Sequence, residues 1–375
     1  KNPVHFSPEH HFVLDLKPYF IYPDILNSKS QVLKIKTKEH RLVSCPGKKN
    51  KFKDGEQKLK SLFCKLGKLV LQDKESIAED INCKRRPMGS IRHTNIKCHG
   101  TKDGVFHVIG WKIDTNWFIP QIIVCWDGTR ETTLFTKHII HGQYLKNRVP
   151  SPGRPNFKRE EFYSENIGEF YTHKFQENTF KFLLGRVSNI PGSRRYYFAR
   201  GHLAPDADFV NPSEQDETYF YSNAIPQLQS FNNGNWKKVE NSLRDLAMEK
   251  NRSLVVYSGT FGILTLKDER GKDVPIYLCP EKHLYPIPLI IWKVVHDPVA
   301  KEAVTILGLN TMTNEADKRE AFFDTCDNIC DQILWLEIDE EKDFRKGSIL
   351  CCSWNQFKTN VAPLEDLGRP KLLKI

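Results

Sequence analysis

The stretch that decides the fold runs from residue 198 to 244. It opens FARGHLAPDADF over 198–209 and, after a short acidic linker, continues YSNAIPQLQSFNNGNWKKVENSLR over 221–244. Trp236, Val239, Leu243, Leu246 and Ala247 recur at helical spacing, so a helix with one apolar stripe is expected to begin just after Asn232. At about 3.6 residues per turn, Glu240 and Arg244 stay near the face on which Asn232 stands.

Phosphodiester hydrolysis needs an activated water and a means of neutralising charge on the phosphate oxygens. Histidine titrates near neutrality and suits the role of general base, which points to His202. Magnesium keeps most of its waters and needs only one or two protein oxygens, so the carboxamide of Asn232 suffices as a direct ligand. Glu240 can then hold a metal-associated water, and Arg244 can clamp a phosphate oxygen. Taken singly, Glu240 and Arg244 read as an ordinary surface pair and His202 as an ordinary histidine. Their combination turns the reading toward a catalytic site. The pairs His10-His11 and His138/His141 lack a third ligand and read as structural.

The rest of the composition suits that chemistry. The chain has 375 residues, 56 basic against 46 acidic, for a net charge of +10, which favours polyanionic partners. Basic clusters stand at Lys48, Lys49, Lys51 and Lys53, at Lys84, Arg85 and Arg86, and at Arg194, Arg195 and Arg200. No apolar run is long enough to span a bilayer. The ten cysteines include no paired C-x-x-C knuckle for zinc, and their even number points to disulfides and an oxidising compartment. A start at Lys1 without an apolar leader suggests a signal peptide already removed, and Asn251-Arg252-Ser253 is a glycosylation sequon consistent with secretion.

Along the chain, residues 1–115 read as a small β-rich module with short strands at 31–35, 41–45, 68–72 and 105–113, a possible helix over 57–66, and four of the cysteines. Residues 116–375 read as a second domain. Its strands are expected at 118–126, 254–262, 287–295 and 303–309, its helices at 315–323 and 328–336, and 170–182 is open to either reading. Strands flanking a central helix argue for an α+β fold with a mostly antiparallel sheet.

The pattern R-G-H followed by N-x-x-P-Q-x-x-x-x-N-x-G-x-W-x-x-x-E-x-x-x-R resembles the DNA/RNA non-specific endonucleases of the ββα-metal type. The fuller form is similar to secreted arthropod nucleases, from crab and shrimp nucleases to insect gut or salivary double-stranded ribonucleases. The resemblance covers roughly 116–375. It implies His202 as general base, Asn232 as direct ligand of one Mg2+ ion that Mn2+ can replace, and Glu240 bound to that ion through water. It further implies Arg200 and Arg244 as phosphate contacts and Asn223 as a supporting amide, with single- and double-stranded DNA and RNA as substrates and 5′-phosphate products. Arg194, Arg195, Lys237 and Lys238 would add contacts to the nucleic-acid backbone. The chain departs from the commonest motif at Ala199, where many members carry Asp. An upstream catalytic arginine has Arg186, Arg194 and Arg195 as candidates. The alternative is a salivary-type nucleic-acid-binding protein on the same fold with weak or lost hydrolysis. Substrate preference, disulfide pairing and oligomeric state are not encoded in any of these patterns.

Overall fold

The computed structural model describes residues 4–5, 12–14, 22, 24–27, 30–33, 35–36, 38–65, 68–71, 74–75, 82–98, 101, 103–185, 196–311, 313, 316–339, 346–358 and 364–375. Near the N-terminus, β1 (His40–Ser44), β2 (Leu59–Lys65) and β3 (Lys68–Leu71) form an antiparallel sheet, extended by Phe12–Leu14 beside β1 and Lys74–Glu75 beside β3. Val43, Cys45, Phe52, Leu62, Leu71 and Cys83 make its small core, and the Cys45–Cys83 disulfide crosses it. The helix expected over 57–66 is strand β2. Leu59, Leu62 and Phe63 imitate helical spacing, but Lys60 and Leu62 point inward at the period of a strand, with the Lys60 ammonium paired to Asp54 at 2.6 Å.

The large sheet begins with β4 (Ser90–Lys97), β5 (Gly104–Lys112), β6 (Phe118–Asp127) and β7 (Thr132–His141), an antiparallel meander. The chain then leaves the sheet for helix α1 (His173–Leu184), the hairpin β8 (Phe198–His202) and β9 (Ala224–Leu228), the one-turn helix α2 (Gln229–Asn232) and the long helix α3 (Asn235–Lys250). It returns with β10 (Ser253–Ile263), β11 (Pro288–Asp297) and β12 (Glu302–Leu309), followed by α4 (Ala316–Phe323) and β13 (Ile349–Cys352). The order across the sheet is β13-β12-β11-β10-β7-β6-β5-β4, antiparallel throughout, with Lys371–Leu372 joining β12 in parallel. The α+β class with a mostly antiparallel sheet is therefore the observed one.

Two expectations change. A break between 115 and 116 falls inside this sheet, because β5 and β6 pair along their length and Cys98 is bonded to Cys125. Residues 90–115 thus pair into the large sheet, with Asp103-Gly104 at the turn between β4 and β5. The stretch 328–336 holds only a single 3-10 turn at Cys330–Gln332, because the Cys330–Cys351 bridge and the bond from Ile329 N–H to the Cys351 carbonyl tie it to β13. With Cys326–Cys352 there are four disulfides; Cys64 and buried Cys279 are free thiols. Among the described residues no helix is long and apolar enough to cross a membrane.

Helix α3 lays Trp236, Val239, Leu243, Leu246 and Ala247, all buried, into the main core. Each large side chain in that stripe contributes about 1.5–3 kcal/mol of transfer free energy, which holds the helix that carries Glu240 and Arg244 firmly against the sheet.

Candidate active site

The hairpin β8–β9 pairs in register, Ala199 with Gln227 and His202 with Ala224. Alternation puts Arg200 and His202 on one face of β8 and Ala199 and Gly201 on the other. A Cβ at Gly201 would lie 2.1 Å from Gln227 Oε1, so the hairpin closes only over a glycine there. Helix α2 packs on this hairpin and on α3, and α3 in turn lies against β7, which makes the β-β-α unit.

His202 is half-buried, with Phe157 and Tyr219 against its ring at centroid distances of 5.1 and 4.8 Å. Its Nε2 is enclosed and makes no hydrogen bond. Burial pushes its pKa down to about 4, Asp206 opposes this, and the nearby charges of Arg154 and Lys293 add to it. The imidazole is therefore neutral at pH 7 and able to accept a proton. Arg200 stands in a cage of Phe157, Tyr171 and Tyr221, with its guanidinium carbon 5.6, 5.4 and 5.7 Å from the three ring centroids. The ring faces attract the cation, and the Tyr221 hydroxyl also accepts a hydrogen bond from Arg200.

Glu240 is largely buried on α3, where burial raises its pKa to about 7 against the pull of Lys293, whose Nζ lies 3.9 Å away. Lys293 projects from β11 and is itself buried, donating to the Leu203 carbonyl at 2.9 Å and to Ser258 Oγ at 2.8 Å. Arg244 donates to Asp208 Oδ1 at 2.8 Å and to Asn241 Oδ1. The other Asp208 oxygen accepts from His138 Nε2 at 2.9 Å. Burial alone would raise the Asp208 pKa, but these partners hold it below the usual carboxylate range. His138 is thus structural.

Asn223 is fully buried and spends its side chain on backbone: Oδ1 accepts from Ala204 N–H, and Nδ2 donates to the Ala204 and Thr218 carbonyls. It latches the turn that follows His202. Asn232, half-buried at the end of α2, has a carboxamide with no hydrogen-bond partner among the described residues. No cluster of three or more His, Cys, Asp or Glu suited to a metal exists among the described residues. The free carboxamide of Asn232 and the carboxylate of Glu240 are a sparse set of oxygen donors, the kind that fits a hard cation that keeps its waters. Lys237 is exposed, whereas Lys238 is paired with Asp339 at 2.5 Å. Arg186, Arg194 and Arg195 lie outside the described residues.

Sequence reasoning passed over Lys293, Asp208 and Arg154. A lone lysine within the apolar run Ile290-Ile291-Trp292-Lys293-Val294-Val295 was the available signal, since such a charge is buried only with partners. Asp208 was legible only as one of two acids after His202. Arg154 sits in a loop that reads as a separator.

The β8–β9 hairpin that carries His202 and the helices that follow it form a β-β-α unit. The model of the DNA/RNA non-specific endonuclease family matches residues 106–355, and the chain belongs to that family. It is 27% identical over 362 residues to salivary protein Tsal1 of Glossina morsitans morsitans, covering 94% of this chain and 87% of the relative. It is similar also to the salivary endonucleases of Lutzomyia longipalpis, 29% identical over 74% of this chain and 65% of that one, and of Culex quinquefasciatus, 24% identical over 91% and 88%. Among solved structures, the EndoG/EndoGI complex aligns at a TM-score of 0.36 and 18% identity, covering 52% of this chain and 73% of that one.

Proposed function

We propose that this endonuclease is secreted, depends on Mg2+, and cuts DNA and RNA, duplexes included, to oligonucleotides with 5′-phosphates. The observation that carries the reading is the unpartnered imidazole of His202, neutral at pH 7 and set among Arg154, Arg200 and Lys293. His202 takes the proton of the attacking water. Arg200 and Arg154 meet the phosphate oxygens. Asn232 would hold the ion, and Glu240 would orient water beside it. When bound, the ion supplies positive charge to the phosphate oxygens as negative charge builds there. Arg244 secures α3 through Asp208, and Asn223 secures the turn after the base. Four disulfides and salivary relatives support an extracellular site of action.

The test is cleavage of matched DNA and RNA with Mg2+ and with EDTA, comparing wild type, His202→Ala and Asn232→Ala. Loss of cleavage in both variants and in EDTA is expected. Equal cleavage by wild type and His202→Ala would refute the assignment. A second reading, nucleic-acid binding with weak turnover, is favoured by one observation: both terminal nitrogens of Arg244 are already engaged by Asp208 and Asn241. Turnover separates the two readings, because backbone affinity would persist under either.

A further inference from the structure

The N-terminal module carries a group of cations that the catalytic site does not use. Residues 50–53 and 82–85 run side by side: Lys53 N–H donates to the Asn82 carbonyl at 2.9 Å, Lys84 N–H to the Lys51 carbonyl at 2.8 Å, and Phe52 bridges Cys83. Buried Asn50 clamps the two segments, its Oδ1 accepting from Arg85 N–H at 3.1 Å and its Nδ2 donating to the Arg85 carbonyl at 3.0 Å. The Cys45–Cys83 disulfide fixes the pair from below. From this rigid base Lys48, Lys49, Lys53, Lys84 and Arg85 all project into solvent, and none forms an ion pair among the described residues. The neighbouring acids are taken, Asp54 by Lys60 and Glu56 by Lys51.

This surface leads to the cleavage site. Arg86, next to Arg85, donates to Asp216 at 2.7 Å and to Ser151 Oγ at 3.1 Å, and Ser151 donates to the same Asp216 at 2.7 Å. Ser151 opens the loop that holds Arg154, whose charge reaches His202. Three residues of chain span at most about 10 Å, so the cations at 84–85 connect to the Arg154 loop through one ion pair and a short stretch of backbone.

We infer that Lys48, Lys49, Lys53, Lys84 and Arg85 form a phosphate-backbone track for the same nucleic-acid strand or duplex that is cut at His202. The partner is a polynucleotide rather than another polyanion because the track joins the active-site loop through Arg86 and Ser151. The inference rests on the reading of His202 as the cleavage centre. It assigns the module a grip on long substrates that short ones cannot reach.

The experiment replaces the five residues together by Ser in the full chain, with a second variant that exchanges Lys for Arg and Arg for Lys at the same positions. Binding of a 30-base-pair duplex is measured against salt in the His202→Ala background with Mg2+, and cleavage of that duplex and of a tetranucleotide is measured with His202 present. The Ser variant is expected to show a log K versus log salt slope shallower by about 0.9 for each phosphate no longer neutralised, up to about 4.5 for all five. Its KM for the duplex rises by about tenfold or more, its tetranucleotide cleavage stays unchanged, and the charge-preserving variant behaves as wild type. An unchanged slope and duplex KM would overturn the track, as would a fall in tetranucleotide cleavage in step with the duplex. Weakened affinity for a sulfated polysaccharide with nucleic-acid affinity intact would overturn the choice of partner. Should wild type cut neither substrate, the cleavage reading fails while the salt slope still reports on the track.

Discussion

Replacing Lys293 by Met tests how the buried charges around the active site are balanced. The ammonium lies 3.9 Å from a Glu240 oxygen. At an effective dielectric of about 20, that separation is worth about 4 kcal/mol of attraction, or roughly three pH units if fully expressed. Burial already raises Glu240 to about 7, so losing the cation carries it well into the alkaline range. The acid limb of the pH–rate profile should move up by about one to three pH units, and kcat/KM at pH 7 should fall by about 10- to 1000-fold, recovering toward pH 9. The Leu203 carbonyl and Ser258 hydroxyl also lose their donor, which should cost about 1–3 kcal/mol in guanidinium unfolding. The assay is kcat/KM on a single DNA duplex from pH 5 to 10 beside unfolding at pH 7. An acid limb that stays in place while unfolding shows a native-like fold would refute the charge balance.

Three more outcomes follow from the same interactions. Asp208→Ala strands Arg244 and His138 in a buried site and should destabilise the protein by about 3–5 kcal/mol in urea; a loss below about 1 kcal/mol would show that the trio is not cooperative. Stability should change little between pH 6.5 and 4.5. Burial holds His107, His141 and His202 near 4, so their contribution is lost as pH falls through that window, while Glu160, Glu214 and Glu240, raised by burial to about 7, take up protons there and offset it. Unfolding midpoints at three pH values check this, and Glu160→Gln should unmask an acid destabilisation of about 3 kcal/mol. Reducing the closely spaced Cys326–Cys352 and Cys330–Cys351 bridges should lower stability by about 3 kcal/mol each, read as a fall in Tm with reductant.

The placement of the candidate residues was legible where spacing alone specifies it. The apolar stripe from Trp236 to Ala247 announced the helix that carries Glu240 and Arg244, which needs only local periodicity. The residues that set the charges of those groups were not legible, because they arrive from elsewhere: Lys293 from β11, and Arg154 from a loop held through Ser151, Asp216 and Arg86. Asp208 lies close by in the sequence, yet its roles with His138 and Arg244 exist only once three elements meet. Strands were readable as apolar runs, but where one sheet ends was not. The expected 115/116 boundary lies between β5 and β6, whose pairing is written in hydrogen bonds rather than composition. In β2, helix-like spacing of three apolar residues hid a strand whose inward lysine finds an aspartate.

The route of the chain through the large sheet sets the order in which the enzyme is assembled. Strands β4 to β7 are sequential neighbours, as are β10 to β12, and each run can pair as it is made. The two runs meet along β7 and β10, which pair from Phe135 with Gly259 to His141 with Ser253, and Gly142 N–H reaches the Arg252 carbonyl at 3.0 Å. Arg154, Arg200, His202, Asn232, Glu240 and Arg244 all lie in the excursion between those points. Closing so long a loop carries an entropic cost that local hairpins avoid, so the joining of the two meanders is expected to be slower than the pairing within each. Only then can Lys293, from the far run, reach the Leu203 carbonyl. The Lys293–Glu240 pair at the candidate site thus depends on the closing of the sheet around the excursion.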